Sequence, residues 1–276
     1  MTPVLTLTDA VVEGPDGAVP VRWYRPACPV APTLLWLHGG GFFRGDLDQP
    51  ESDAVATALA ERGVPVVAVG YRLGPVPGMP WVGRSGARAR RPAPAAHDEV
   101  VHVYRSVAER AARGVVLGGA SAGACLAAAV TGTLTSTGLD IPPPVGTVLA
   151  YGFFHARLPR DAGVLRSVRG HRRLTHAPWA LDAANRAYAG TERMRTDRRA
   201  FSGGHPVDGF PPTLMVDADL DAMRGSGEQF AAELTAASVP LDRRVLAGSR
   251  HAFLNHPGTP DFTTAVDHIA TWTAAR

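Results

Sequence analysis

The stretch Val115-Val-Leu-Gly-Gly-Ala-Ser121-Ala-Gly123 decides the fold, because it joins an apolar strand, a serine between glycines and the start of a helix. A serine between a strand and a helix lies on a sharp turn that lifts its hydroxyl out of the sheet. The residues two positions before and after it must be small, and Gly119 and Gly123 meet that requirement. A helix that begins at Ala122 directs backbone amides toward the hydroxyl. The stretch therefore predicts a nucleophile, Ser121, where a buried strand ends.

Short β-branched runs alternate with alanine-rich stretches along the rest of the chain. Residues 5–12 and 19–24 predict an opening hairpin around the turn 14–17. The later runs are almost continuously apolar, as in strands buried on both faces: 33–38, 64–71, 115–119, 146–151, 213–218 and 241–246. Helices are predicted at 51–62, 98–113, 122–135, 226–237 and 263–274. This alternation predicts an α/β fold with a mostly parallel central sheet flanked by helices.

Composition excludes several classes of protein. The 276 residues carry a net charge of +3, and all 28 basic residues are arginine, so Schiff-base chemistry on a lysine is excluded. The arginines form no reading element, and we expect no nucleic-acid partner. Two cysteines, Cys28 and Cys125, are too few for a disulfide framework or a metal site. The longest apolar run is too short to span a membrane, and no secretory signal is visible, so we expect a cytoplasmic protein that does not bind membranes.

Two segments interrupt the alternation in what we expect to be one domain over residues 1–276. Residues 76–91 are rich in glycine, proline and arginine and predict a flexible loop. Residues 155–211 contain helix-compatible pieces, such as 179–188, but no clear strand. Long excursions of this kind are usually lids or binding elements.

A second glycine-rich motif, His38-Gly-Gly-Gly41-Phe42, follows the run 33–38. Glycines leave backbone amides open to close approach by a substrate oxygen. Together with the amide of Ala122, those of Gly40 and Gly41 predict an oxyanion hole for a tetrahedral acyl intermediate. We interpret His38 as a structural residue that fixes this loop.

A serine nucleophile needs an oriented histidine, and in this architecture the chain order is serine, acid, histidine. His251 lies between the last predicted strand and the last helix, where catalytic groups gather in open α/β sheets. His256 and His268 are the alternatives. Three carboxylates lie at or just after the end of the strand 213–218, and we favour Asp221 as the acid over Asp217 and Asp219 because it lies in the loop within reach of His251.

These motifs together resemble the hormone-sensitive-lipase-like branch of the α/β-hydrolases, whose members are carboxylesterases of short acyl esters. The resemblance covers nearly the whole chain and rests on residues 38–42, 71–75, 94–96, 119–123, 211–214, 221–224 and 251–253. It supports Asp221, which precedes Ala-Met-Arg where the family has a Pro-Leu-Arg-like segment. It also implies an inserted helical cap at about 155–208, and homodimer formation through the final strand and helix.

The chain departs from the family pattern at three places. Ala120 stands before the serine, where the family has an acidic residue or threonine. Only 37 residues precede His38, so we expect the N-terminal helical part of the cap to be missing and the pocket to be open. The segment 76–91 separates two motifs that are normally close.

The sequence thus predicts a serine hydrolase that cleaves carboxylic esters of small or medium acyl groups. Ser121 would be the nucleophile, His251 the general base and Asp221 its orienting acid, and no metal or other cofactor is expected. The substrate is a small-molecule ester, and we expect aromatic side chains to line its pocket: Phe42, Phe153, Phe154, Trp179 and Tyr188, with Trp81 as a further candidate. A biosynthetic enzyme that uses the same site for acyl transfer, or for lactone or amide chemistry, is the alternative. A binding protein on an inactive hydrolase scaffold is a further alternative.

Overall fold

The computed structural model describes residues 5–83, 85, 86, 88–136, 138–159 and 177–276, through which runs one eight-stranded sheet. Its strands are β1 (Thr6–Gly14), β2 (Gly17–Arg25), β3 (Thr33–Leu37), β4 (Val66–Val69), β5 (Val115–Ala120), β6 (Gly146–Ala150), β7 (Thr213–Leu220) and β8 (Leu241–Arg250). Their order in the sheet is β1-β2-β4-β3-β5-β6-β7-β8. The β1–β2 and β2–β4 pairs are antiparallel and all the others are parallel. The predicted α/β fold with a mostly parallel sheet is confirmed.

Helices cover both faces of the sheet. They are α1 (Asp53–Glu61), α2 (Ala95–Ala108), α3 (Ala122–Ser136), α4 (Pro178–Ala189), α5 (Glu192–Arg195), α6 (Arg224–Ala236) and α7 (Pro260–Ala274), and a 3₁₀ turn covers Phe253–Asn255. Side chains alternate along each strand, so that Leu35 and Leu37 of β3 pack in a core with α2, α3 and α6. Leu34 and Trp36 pack in a second core with α1 and α7. Two apolar faces on one strand explain why its sequence is almost continuously hydrophobic.

The predicted elements are present, but several of their ends differ. Helix α7 begins at Pro260, earlier than predicted, because proline is tolerated in the first turn and the Thr259 side chain caps the helix by accepting a hydrogen bond from the Phe262 amide. Strand β8 continues to Arg250. It is an edge strand with half-exposed residues, so its last part lacks the apolar run that marks a buried strand.

Arginine side chains hold the described part of the segment 76–91 against the body of the domain. Arg88 donates hydrogen bonds to the carbonyl oxygens of Ala18 (2.9 Å) and Gly70 (2.6 Å). Arg90 donates to those of Phe43 (2.6 Å) and Gly74 (3.0 Å). These guanidinium groups give the four backbone carbonyls a hydrogen-bond donor and fix the segment to the rest of the domain. The predicted flexibility of this loop stays a prediction.

The long excursion between β6 and β7 contains α4 and α5, and its residues 160–176 lie outside the described residues. Residues near its two ends are hydrogen-bonded to each other and to α6. The amide of Gly203 donates to the carbonyl oxygen of Phe154 (2.8 Å). Glu233 of α6 bonds His155 at one end (3.0 Å) and the amide of Gly204 at the other (3.1 Å). No described helix is both long and apolar enough to cross a membrane.

Candidate active site

Ser121 lies at the turn between β5 and α3, with its backbone in the left-handed region at φ 53°. A non-glycine residue rarely adopts such a φ, and the neighbouring structure must hold it there. Its amide donates to the carbonyl oxygen of Ala150 (2.9 Å), which ties the turn to β6. The side chain is 5% exposed. Ala120, where the family has an acidic residue or threonine, is buried in the core that contains α1 and α7.

The glycines on either side of Ser121 allow the turn to lie against β3. A Cβ atom on Gly123 would lie 2.1 Å from the carbonyl oxygen of Leu37 and 2.4 Å from that of His38. A Cβ atom on Gly119 would lie 2.5 Å from the carbonyl carbon of Gly123. Because all these neighbours are backbone atoms, no side-chain rotation could relieve the overlap. The two glycines therefore bring the serine turn and the loop after β3 together.

A chain of hydrogen bonds joins Ser121 to His251 and Asp221. Ser121 Oγ lies 2.9 Å from His251 Nε2, and His251 Nδ1 lies 2.6 Å from Asp221 Oδ2. An ionised carboxylate only accepts hydrogen bonds, so Nδ1 carries the proton and Nε2 accepts from the serine. The amide of Met223 donates to the other oxygen of Asp221 (3.0 Å), which fixes the carboxylate. All three side chains are buried.

The alternative acids and bases lie elsewhere. Asp217 is buried against Arg243 (2.8 Å), and burial raises the pKa of this carboxyl to about 6 although Arg243 opposes the shift. Asp219 pairs with Arg224 (2.7 Å). His256 is exposed beyond the 3₁₀ turn, and His268 lies on α7. Only one histidine among the described residues is bonded to Ser121, and it is His251.

The loop after β3 presents unpaired amides beside Ser121. Gly40 and Gly41 have φ of 120° and 63°, and a Cβ atom on Gly40 would lie 2.1 Å from the carbonyl oxygen of Arg44, so this turn requires glycine. No described residue accepts a hydrogen bond from the amides of Gly40, Gly41 or Ala122. The amide of Gly39 differs, because it donates to Glu51 Oε2 (2.6 Å). Three free donors are therefore available to an oxyanion.

His38, as a neutral imidazole, stabilises this loop through a ring contact and a hydrogen bond. Its ring stacks on Tyr71 with centroids 4.4 Å apart, and its Nδ1 donates to the carbonyl oxygen of Gly39 (2.8 Å). Its Nε2 is buried without a hydrogen-bond partner among the described residues. Burial lowers the pKa of His38 to about 4.

This pKa predicts an acid sensitivity that His38→Asn should reduce. Between pH 6.5 and 4 the unfolded chain binds a proton at His38 that the folded chain does not, so the free energy of unfolding falls as the pH is lowered. We expect urea unfolding of wild type to lose roughly 2 kcal/mol more than that of His38→Asn between pH 7 and pH 4.5. His256→Asn, at an exposed position, is the control and should follow wild type. Equal losses in wild type and His38→Asn would contradict the role of His38.

Aromatic side chains form a buried cluster beside the free amides. Phe42 stacks on Tyr188 of α4 with centroids 3.6 Å apart and meets Phe153 edge-on at 5.6 Å and Phe201 at 6.5 Å. Each is at most 4% exposed, and Ala122 is in the same cluster. The structure brings together three of the five predicted pocket residues: Phe42, Phe153 and Tyr188.

The other two predicted pocket residues lie elsewhere. Phe154 stacks on Phe230 with centroids 4.3 Å apart in the core that contains α2, α3 and α6. Its position follows from its neighbour, because successive side chains of an extended segment point in opposite directions. Trp179 lies near the start of α4 and is 69% exposed. Trp81, the further candidate, is 68% exposed.

Sequence reasoning missed a buried polar group at the site, formed by Glu51, Tyr151 and Asn255. It also missed a second serine–histidine–glutamate set, in which His155 Nδ1 lies 2.8 Å from Ser226 Oγ and Nε2 lies 3.0 Å from Glu233 Oε1. Ser226 belongs to α6 and accepts hydrogen bonds from the amides of Phe154 (2.8 Å) and His155 (3.3 Å). No sequence motif surrounds any of these residues. Among the described residues, no three His, Cys, Asp or Glu side chains are grouped so that they could hold a metal ion.

A mostly parallel sheet with a nucleophile elbow and a serine–histidine–aspartate chain where its strands end defines an α/β-hydrolase. Residues 34–255 match the family model described as alpha/beta hydrolase fold. The chain belongs to this family, and its resemblance to the hormone-sensitive-lipase-like branch is confirmed.

Relatives are named as esterases. Esterase LipI of Mycobacterium tuberculosis is 29% identical over 93% of this chain and 77% of its own. Ethyl acetate hydrolase of Pseudomonas putida is 30% identical over 90% of this chain and 76% of its own. The structure of brefeldin A esterase, a bacterial homologue of human hormone sensitive lipase, superposes with a TM-score of 0.80 at 25% identity, covering 98% of this chain and 77% of that one.

Proposed function

We propose that the protein is a carboxylesterase that hydrolyses small-molecule esters through an acyl-enzyme on Ser121. His251 Nε2 takes the serine proton as Oγ attacks the ester carbonyl, and the new imidazolium then protonates the leaving alcohol. Water attacks the acyl-enzyme with His251 again as the base, the imidazolium then returns the proton to Ser121 Oγ, and the carboxylic acid leaves. Asp221 holds the proton on Nδ1 and stabilises the imidazolium. The esterase relatives support the ester bond as the substrate class.

The observation that carries this proposal is the unbroken hydrogen-bond chain from Ser121 through His251 to Asp221. A serine hydroxyl is a weak nucleophile unless a base lies within hydrogen-bond distance, and here that distance is 2.9 Å. The carboxylate–imidazole contact is buried at both partners, so water competes weakly with it. The geometry suits transfer of one proton between serine, substrate and histidine.

Stabilisation of the oxyanion falls to the amides of Gly40, Gly41 and Ala122. They are free of other acceptors among the described residues and lie on the two segments that flank Ser121. Because these donors belong to the backbone and are held by the glycine turn and by α3, they need no reorganisation when charge develops on the carbonyl oxygen. Donors of this kind typically contribute about 3–4 kcal/mol each to transition-state stabilisation.

The aromatic cluster supports a preference for short acyl groups. Phe42 follows the oxyanion glycines directly, and the cluster includes Ala122, so these rings border the place where the acyl carbonyl would lie. Phe42, Phe153, Tyr188 and Phe201 already fill this space with face-to-face and edge-to-face contacts. A longer chain would have to displace at least one of these rings.

The test is the hydrolysis of p-nitrophenyl esters from acetate to decanoate. We expect kcat/KM to be highest between acetate and butyrate and to fall at least tenfold by decanoate, because each ring displaced costs packing energy. Prior treatment with a fluorophosphonate should abolish the turnover, and mass spectrometry should find the label on Ser121.

Two outcomes would contradict the proposal. A wild-type protein that is labelled at Ser121 yet turns over none of these esters would favour acyl transfer or another step on a dedicated substrate. A protein that is neither labelled nor active would favour a binding role for the scaffold. An optimum at octanoate or decanoate would refute only the short-chain preference.

A further inference from the structure

Glu51 is a buried carboxylate that the proposed mechanism does not use. It precedes α1, its side chain is almost fully buried, and its backbone carbonyl oxygen accepts a hydrogen bond from the Trp36 indole (2.8 Å). A buried carboxylate is costly unless hydrogen bonds or charges compensate it. Its partners therefore indicate what it does.

One oxygen of Glu51 binds the glycine segment 39–41 after β3, which carries two of the proposed oxyanion donors and is called the oxyanion loop below. Oε2 accepts a hydrogen bond of 2.6 Å from the amide of Gly39. A Cβ atom on Gly39 would lie 2.3 Å from the same oxygen and 3.0 Å from Ser121 Cβ, so the loop lies tightly between the carboxylate and the serine. Because the Gly39 amide is occupied, it cannot serve the oxyanion, and the peptide is fixed so that the next two amides remain free.

The other oxygen of Glu51 binds two residues that lie beside His251, namely Tyr151 and Asn255. Oε1 accepts from the Tyr151 hydroxyl (2.5 Å) and from the Asn255 side-chain amide (3.1 Å). The Tyr151 ring meets the His251 ring edge-on, with centroids 5.1 Å apart. Asn255 lies in the 3₁₀ turn that follows His251, and its own side-chain oxygen accepts from the Glu51 amide (3.3 Å).

The partners of Glu51 suit an ionised carboxylate. The Gly39 amide and the Asn255 amino group can only donate, and the Tyr151 hydroxyl completes a set of three donors on two oxygens. Burial raises the pKa of Glu51 above its ordinary value, and the bond from Tyr151, the nearby His251 and the amide donors offset only part of that rise. Burial also raises the pKa of Tyr151 well above its ordinary value, which keeps its hydroxyl proton available as a donor.

We propose that Glu51 is a positioning residue. It fixes the oxyanion loop relative to the loop that carries His251 and Asn255. The proposal rests on the proposed serine mechanism, because it concerns the two loops that this mechanism uses. The carboxylate reaches the second of these loops through Asn255, which lies 204 residues from Glu51 in the chain. Its contribution is to keep the amides of Gly40 and Gly41 and the His251 imidazole correctly placed around Ser121 while negative charge develops on the substrate carbonyl oxygen.

The test compares Glu51→Gln with Glu99→Gln. A glutamine side chain has nearly the shape of glutamate but only one acceptor oxygen, so at least one of the three donors to Glu51 must lose its partner. Glu99 is the matched control, because it is equally buried, accepts from a backbone amide (Arg72, 2.8 Å) and pairs with Arg72 Nε (2.8 Å) away from Ser121. Active sites are counted by fluorophosphonate titration, so unfolded protein does not enter kcat.

We expect Glu51→Gln to lower kcat for p-nitrophenyl acetate by about 10- to 100-fold with KM within about twofold of wild type, as for a misplacement of reacting groups. The rate of fluorophosphonate labelling should fall in parallel, and Glu99→Gln should change neither quantity. Tyr151→Phe keeps the ring against His251 but removes one donor, and we expect kcat to fall roughly threefold to tenfold. The double variant Glu51→Gln/Tyr151→Phe should be little worse than Glu51→Gln alone, since both act through one bond.

Each unfavourable outcome is distinct. If wild type is active while Glu51→Gln keeps its kcat, or raises KM alone, the positioning role is overturned and the serine mechanism stands. If Glu51→Gln does not fold, an unchanged kcat in Tyr151→Phe overturns it. If wild type shows neither turnover nor labelling, the serine mechanism fails, and the positioning role fails with it.

Discussion

Ser121→Ala is expected to lower kcat for p-nitrophenyl acetate about a million-fold, to the residual rate that oxyanion donors alone support. The variant loses the atom that forms the acyl-enzyme. His251→Ala should cost about as much, because Oγ then has no acceptor for its proton. The double variant should be no slower than either single variant, since the two side chains act in one step.

Ser226→Ala is the matched control for this prediction. Ser226 also bonds a histidine that bonds a glutamate, so a serine–histidine contact by itself is not what distinguishes Ser121. Ser226 lies in the first turn of α6, is 1% exposed and uses its oxygen to accept two backbone amides. We expect Ser226→Ala to lower stability but to keep kcat within about threefold. A Ser121→Ala variant that retains more than about one per cent of the wild-type rate would refute the mechanism.

Gly123→Ala is expected to produce a large loss of stability from a single methyl group. The new Cβ would overlap two backbone oxygens, at 2.1 Å from Leu37 and 2.4 Å from His38, and only a shift of α3 away from β3 could relieve it. We expect a loss of roughly 3 kcal/mol, which for a domain of this size lowers the midpoint of thermal unfolding by about 6–12 °C. The same shift would separate the oxyanion loop from Ser121 and lower kcat at least tenfold at 25 °C.

Gly132→Ala in the same helix provides the comparison. Its Cβ would meet the end of the Arg198 side chain at 2.9 Å and Phe210 at 3.4 Å, and the arginine can move. Alanine also favours the helix by up to about 1 kcal/mol, so the net change should be small or positive. The measurements are the unfolding temperature by calorimetry and kcat for p-nitrophenyl acetate, each on both variants. If Gly123→Ala unfolds at the wild-type temperature, the close packing of the serine turn against β3 is refuted.

Local patterns account for what the sequence could predict. The serine turn and the glycine loop are each contained in five residues, and their chemistry requires small neighbours at fixed spacing. Buried strands such as β3 and β5 are apolar on both faces, so they stand out without knowledge of their partners. The chain order of serine, acid and histidine then limits the choice of Asp221 and His251. These inferences need no tertiary contact.

Contacts between distant segments account for what the sequence could not predict. Glu51 follows a proline before α1 and resembles any acidic residue at the start of a helix, and its role depends on Tyr151 and Asn255. Phe153 and Phe154 are adjacent and equally hydrophobic, and only the packing of α4 and α6 places Phe153 in the aromatic cluster and Phe154 in the core with α2, α3 and α6. The arginines of the segment 76–91 resemble a solvated surface in the sequence, although two of them bind backbone carbonyls.

Hydrogen bonds join the two ends of the excursion between β6 and β7, so the rest of the domain does not depend on the length of the segment between those ends. Both ends are fixed to each other and to Glu233, so the distance between them does not depend on what lies between. The entropy of closing such a loop grows only slowly with its length, so insertions and deletions there cost little stability. The architecture thus allows the length of the excursion to change while the sheet and the arrangement of Ser121, His251 and Asp221 stay the same.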